Sequence, residues 1–338
     1  MLIRPYQMSM CWWEGVVENR FDPLKIGRVQ VRVLGIHTDN LQQLPESDLH
    51  WMQVMMPVTS ASNSGVGETS GLVEGSHVIG FFRDGDSCQD GIVMGSTNGI
   101  PQESRDVNKG FSDHRVDLSA TKVPGKPSKL EYTDSGVSIT EFDRTPYPQR
   151  LDEPDLSRLA TGINLEKDTT ISSKIASQHT QIDIPIAGGE SFSEPAVNFK
   201  AMYPYNKVTE TESGHIIELD DTPSHERVHI FHRSGSFVEM LHNGDVVVKT
   251  TKDEYNIVHA NRYSHVNGTD VLTVDNGSKI LINKGLELEI NDGNININVK
   301  SGNVNLTVNG DISQKVSGDY VMSVGGRFKV SASRIDLN

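Results

Sequence analysis

Two groups of residues in this chain have the types and spacing that chemistry uses. His225-Glu226-Arg227-Val228-His229 spells His-Glu-x-x-His, the arrangement with which zinc proteases hold a metal through two histidines and activate water with the glutamate. That chemistry needs a helix, which brings both histidines to one face about 6 Å apart. Here Pro223 precedes the motif, and Val228, Ile230 and Phe231 run through it in a β-like pattern, so the four steps span roughly 13 Å. One zinc does not reach both rings, and no metal or other cofactor is expected. The second group is the carboxylates Glu287, Glu289, Asp292, Asp311 and Asp319. Glu287 and Glu289 would share one face of a strand about 7 Å apart, within the range of an inverting glycosidase pair. A β-helical tailspike glycosidase is therefore the alternative of another class. No aromatic sugar platform accompanies the pair, and any such strand shows a polar outer face, so no catalytic residue is assigned.

The elements that carry these residues are set by a rhythm at the C-terminal end. Gly268, Gly277, Gly285, Gly293, Gly302, Gly310, Gly318 and Gly326 fall eight or nine residues apart. In the last three units an apolar residue precedes the glycine by two: Val308-Asn309-Gly310, Val316-Ser317-Gly318 and Val324-Gly325-Gly326. Between them Ile312, Tyr320, Met322, Phe328 and Val330 alternate with mostly polar residues, the period of a strand with one face turned inward. Gln314 interrupts the inward face, and the phase slips once, at Ile295, Ile297 and Val299, where the loop 291–294 absorbs the extra residue.

Short strands and glycine corners at a fixed period describe a β-helix. A single chain winding alone would stack about three layers, roughly 15 Å, from residues 262–338. Three intertwined chains would give each octad one wall of a triangle, climb roughly 45 Å, and hide the strand edges a stub would expose. The expectation is the second solution, an obligate homotrimer whose core is built by Val308, Ile312, Val316, Val324 and Phe328 and whose corners are Gly310, Gly318 and Gly326.

The whole chain has 338 residues, 36% hydrophobic content, 30 glycines and a formal charge of −14. Two or three β-rich domains fit that length, and the acidic balance argues against a nucleic-acid partner. Residues 262–338 hold eight basic and eight acidic residues, leaving 23 and 37 upstream, so the acidic excess precedes the repeat. Cys11 and Cys88 are too few for a disulfide framework and wrongly spaced for a zinc site, and read as two unrelated thiols. No signal peptide or membrane-spanning run is evident, and synthesis in a cytoplasm is expected.

Residues 1–100 read as a first domain. Val29, Val31 and Val33 alternate with Arg28, Gln30 and Arg32 after the turn Asp22-Pro23, and further strands are expected at 51–58, 77–82 and 91–94. Five short strands suggest a Greek-key barrel of the OB type. Residues 101–202 read as an extended connector, with a strand pair at 130–140, a brief helix at 154–159 and a hinge at Gly188-Gly189-Glu190. A β-rich neck follows at 203–261, with strands at 208–212, 216–219, 227–231 and 237–241, before the octads at 262–338. The fold class is all-β: OB barrel, connector, and an intertwined triangular trimeric β-helix.

These residues resemble the central spike family of contractile phage tails, which includes the valine-glycine repeat protein G of secretion systems. The first domain carries the resemblance through Gly15, Asp22-Pro23, Gly27-Arg28-Val29, Val31, Leu72, Gly75, Val78, Gly80-Phe81-Phe82, Asp84-Gly85 and Gly91. The connector adds Glu153-Pro154-Asp155 with Arg158-Leu159-Ala160. The most specific set is Tyr203-Pro204-Tyr205-Asn206, Glu212-Ser213-Gly214-His215, Asp220-Asp221-Thr222-Pro223, Glu226-Arg227 and Gly235-Ser236-Phe237-Val238-Glu239. The resemblance implies a homotrimeric, non-enzymatic virion spike. Its OB domains would dock on a baseplate hub protein, and its β-helix would pierce the host outer membrane. Some relatives insert a lysozyme domain, but the connector shows no such motif. Some end in a His-x-His metal tip, but no histidine follows His265 here, which invites a separate small tip protein. Within the same architecture, a secretion-system or phage-derived particle spike carrying tip or effector cargo is the alternative.

Overall fold

The computed structural model describes residues 10–100, 130–133, 136–139, 156–161, 183–195, 199–211 and 215–336. Most of the connector lies outside these, as do Glu153-Pro154-Asp155 and Glu212-Ser213-Gly214. The chain divides into two units, Met1–Thr273 and Val274–Asn338.

The first unit opens with a closed five-stranded barrel. Strands β1 (Cys11–Asn19), β2 (Val29–Val33), β3 (Trp51–Val54), β4 (His77–Phe82) and β5 (Gly91–Ser96) close in the order β1-β2-β3-β5-β4. β3 and β5 run parallel and the other pairs antiparallel, which is the OB topology. Trp13, Val17, Val29, Val31, Val33, Met52, Val78, Phe82 and Val93 fill the interior. Gly80 has a packing reason, because a Cβ there would run into the Trp13 indole and the Ile92 carbonyl of β5. Arg32, buried on the outer side of β2, ties down the following loop by pairing with Glu18 and donating to the carbonyls of Thr38 and Leu44.

The Asp22-Pro23 turn is built around one carboxylate. Asp22 accepts the backbone N–H groups of Leu24, Ile26 and Arg28 and the Arg28 guanidinium at 2.7 Å. The Arg28 bond, against the opposing effect of burial and with the help of the backbone donors, holds this carboxyl well below the usual carboxylate range. A depressed carboxylate contributes its stabilisation above its unfolded pKa and loses it as pH falls toward the folded value. Asp22→Asn is therefore expected to flatten the acid side of the barrel's profile. Its melting temperature should change less than that of the wild type between about pH 5 and about pH 2, which calorimetry on both proteins measures.

The connector contributes two hairpins among its described residues. β6 (Leu130–Thr133) pairs with β7 (Gly136–Ile139), as the sequence suggests. β8 (Asp183–Pro185) pairs with β9 (Ser191–Ser193), and this corrects the reading of Gly188-Gly189-Glu190 as a hinge. Both glycines take positive φ, +104° and +97°, and the Ile186 N–H donates to the Glu190 carbonyl at 3.0 Å, so the segment is a hairpin turn. The single helical turn, α1 (Arg158–Thr161), lies slightly later than expected.

A five-stranded antiparallel meander follows: β10 (Asn206–Glu210), β11 (Ile216–Asp220), β12 (Arg227–Phe231), β13 (Phe237–Leu241) and β14 (Val246–Lys249). From residue 251 to 336 the described chain carries no helix or strand and is bent at regular intervals. Among the described residues the fold is thus all-β apart from α1 and two 3-10 turns.

Candidate functional site

The neck sheet is amphipathic with its faces reversed from the ordinary sense. Register places Ile217, Ile230, Val238 and Val248 in one cross-strand row, and Leu219, Val228, Met240 and Val246 in the next. All eight are exposed. On the opposite face the matching row is Val208, Glu218, His229, Glu239 and Val247, and Glu218 and Glu239 are fully buried.

The covered face keeps its charges by pairing them. Arg227 reaches Glu218 at 2.6 Å and Glu239 at 2.9 Å, and its guanidinium lies 4.8 Å from the Phe199 ring centroid. His229 Nδ1 is 3.5 Å from Glu218. Asn206 donates to Glu218 at 2.6 Å and to the Leu159 carbonyl at 2.9 Å. Burial pushes the Glu218 carboxyl up, but His229, Arg227 and Asn206 together outweigh it and hold the group below its ordinary value. The cover itself comes from the connector: Leu159 is fully buried against Ile216, Phe231 and Phe237, with Phe199 packed beside them. Ser157 bonds Glu210 at 2.8 Å, and Lys249 pairs with Glu194 at 2.9 Å. Asn206, Arg227 and Glu239, which lie in motifs that carried the family resemblance, are parts of this network.

The His-Glu-x-x-His residues fall where a strand puts them. His225 lies in the turn before β12, and His229 sits in β12 facing the covered side. Among the described residues no group of three or more histidine, cysteine or acidic side chains gathers as metal ligands do. Glu287 and Glu289 stand on an exposed stretch between bends at 283–284 and 291–293.

The repeat residues Val308, Ile312, Val316, Val324 and Phe328 are all exposed within the chain, and Gly310, Gly318 and Gly326 sit at bends. Bends occur at 251–252, 259–260, 267–268, 275–276, 283–284, 291–293, 300–302, 309–310, 317–318 and 325–326. The eight-residue spacing thus reaches upstream of the first repeat glycine, into residues read as neck. The residue just before a bend is β-branched nine times in succession: Val258, Val266, Val274, Ile282, Ile290, Val299, Val308, Val316 and Val324. That column, more regular than the glycines, was the signal available for the earlier octads.

Among the described residues, no backbone-to-backbone hydrogen bond reaches 251–336. Apolar side chains there stand open, Leu306 by 73% and Leu286 by 78%. Among the described residues these backbone groups therefore have no backbone partner, beside apolar side chains open to water.

A second apolar surface lies on the barrel's outer wall. The Trp12 and Phe81 ring centroids are 5.7 Å apart, Ile92 pairs in register with Phe81, and Trp12 is 58% exposed.

The family described as the Gp5 N-terminal OB domain matches residues 35–126. The chain is 35% identical over 272 residues to Protein Gp5 of Vibrio phage KVP40 (isolate Vibrio parahaemolyticus/Japan/Matsuzaki/1991), covering 78% of this chain and 63% of that protein. It is 45% identical over 111 residues to the pre-baseplate central spike protein Gp5 of Enterobacteria phage T4, covering 31% of this chain and 19% of that protein. The aligned region thus spans less than two thirds of either relative's length.

Proposed function

Taking this likeness to the Gp5 spike proteins as premise, we propose that the chain is the structural central spike of a contractile injection machine of the phage-tail baseplate type. Three copies wind their octads into a triangular β-helix that breaches a host outer membrane by stiffness, without catalysis. The observation that carries this reading is the run 251–336, bent at regular intervals and, among the described residues, without backbone-to-backbone hydrogen bonds. A coil wound by one chain would pair each octad with the one three units on, inside the same chain. Intertwined copies instead supply the missing ladder from their neighbours. Ten octads from about residue 251 climb roughly 48 Å at about 4.8 Å per layer, more than the ~30 Å of a bilayer's hydrocarbon.

The apolar face of β10–β14 supports the same assembly, since three such faces meeting around an axis would enclose a core that no single copy has. The core residues remain those named from the sequence, Val308, Ile312, Val316, Val324 and Phe328, joined by the β-branched column upstream. The working boundaries are the barrel at 1–100, the connector at 101–202, the neck from 203, and the needle through 338. Native mass measurement of the purified chain, repeated after brief SDS treatment without heating, tests the reading. A trimer that survives SDS until heated is expected, and a lone subunit overturns it.

The barrel docks on the hub, the needle receives a separate small tip protein, and the assembled particle is a virion tail. The Trp12–Phe81–Ile92 wall is the surface offered to the hub, because aromatic anchors in an apolar patch dominate such contacts. Trp12→Ala is expected to weaken capture of the hub subunit by on the order of tenfold or more, read by co-purification and titration, while the trimer mass stays unchanged.

A further inference from the structure

We propose that Cys11 and Cys88 form a redox-responsive dithiol that closes to a disulfide within one chain, stapling the first barrel strand to the turn between β4 and β5. Cys11 is the first residue of β1 and stands opposite Phe82, the last of β4. Its side chain shares the inward parity of Trp13 and Val17. Cys88 closes the 3-10 turn Gly85–Ser87 with φ +52°, its N–H donating to the Gly85 carbonyl at 3.2 Å. Both thiols are free and half-buried, and both pack against the same barrel core. Residues 77 apart in sequence are thus brought to one core by barrel closure. Burial, then the Cys11 thiol and the nearby Asp84 and Asp86, push the Cys88 thiol up.

The chemistry requires a disulfide oxidant, for which glutathione disulfide is sufficient. A thiolate of the pair attacks one sulfur of the oxidant and expels one glutathione thiolate. The second cysteine then attacks the mixed disulfide and expels the other. Two protein thiols are oxidised, one glutathione disulfide is reduced to two glutathione thiols, and the protons pass from cysteine to glutathione. The ring so closed is roughly 80 residues long and constrains mainly the unfolded barrel. The timing rests on the function proposed above: a particle assembled in a reducing cytosol and released into an oxidising medium would acquire the staple after assembly.

The test uses the full chain and does not depend on its being a spike. Wild-type protein is equilibrated with glutathione disulfide or with dithiothreitol, and its thiols and intact mass are measured. Oxidation is expected to remove both thiols, lower the chain mass by two hydrogens, and leave no adduct. It should also raise the barrel's melting temperature by on the order of 10 °C. Cys88→Ser should abolish that rise and keep a glutathione adduct on Cys11. Two persistent thiols, a stable adduct on the wild type, or a disulfide-linked pair of chains would each overturn the proposal.

Discussion

An Ile230→Asp chain is expected to yield no SDS-resistant trimer and to be recovered as monomer or aggregate. Ile230 lies in the central strand of the neck sheet, flanked in register by Ile217 and Val238, on the face where all eight cross-strand positions of β11–β14 are apolar. Among the described residues of one chain, nothing covers this face to resist a carboxylate. The monomer's own fold, whose core lies on the opposite face, should survive. If three copies cover the face, each brings one unpaired carboxylate into an apolar core at a cost of several kcal/mol, and the three charges sit close together. Thr209→Asp, at the edge of the same face, should be tolerated because that strand has an open side. Native mass and far-ultraviolet circular dichroism read the two effects separately. An Ile230→Asp trimer of unchanged heat resistance would show that the face is not an interface between copies.

Arg227→Ala is expected to destabilise the neck by roughly 3–5 kcal/mol, since it leaves Glu218 and Glu239 buried without their common cation. The guanidinium also stacks against Phe199, so the substitution loosens the connector's hold on the sheet. The cost is chiefly that of the stranded carboxylates. A triple variant, Arg227→Met with Glu218→Gln and Glu239→Gln, should therefore recover much of the loss. Denaturant unfolding of the three proteins decides it. Equal instability of the single and triple variants would place the cost in packing instead.

The barrel was legible because its strands turn alternate apolar residues into one core. The alternation at Val29, Val31 and Val33 and the run His77–Phe82 match β2 and β4. The neck strands were also visible as strands, but not which way they faced. Glu218, Arg227, His229 and Glu239 share one polar face, and only the connector's cover, distant in sequence, turns that face inward. Asn206, Leu159 and Phe199 could not be assigned to it for the same reason. The earliest octads were missed because the bends at 251–252 and 259–260 contain no glycine, while the β-branched residue before the bend persists. Cys11 and Cys88 read as unrelated thiols because barrel closure, which local spacing does not encode, is what joins them.

The bare ladder of 251–336 has a genetic corollary. If three chains complete each needle, as proposed, every needle is a mixture of whatever alleles are being translated together. In a cell producing intact and defective copies in equal amounts, random association would leave roughly one needle in eight wholly intact. A fault in this stretch should therefore behave as dominant, with intact assemblies falling as the cube of the sound fraction.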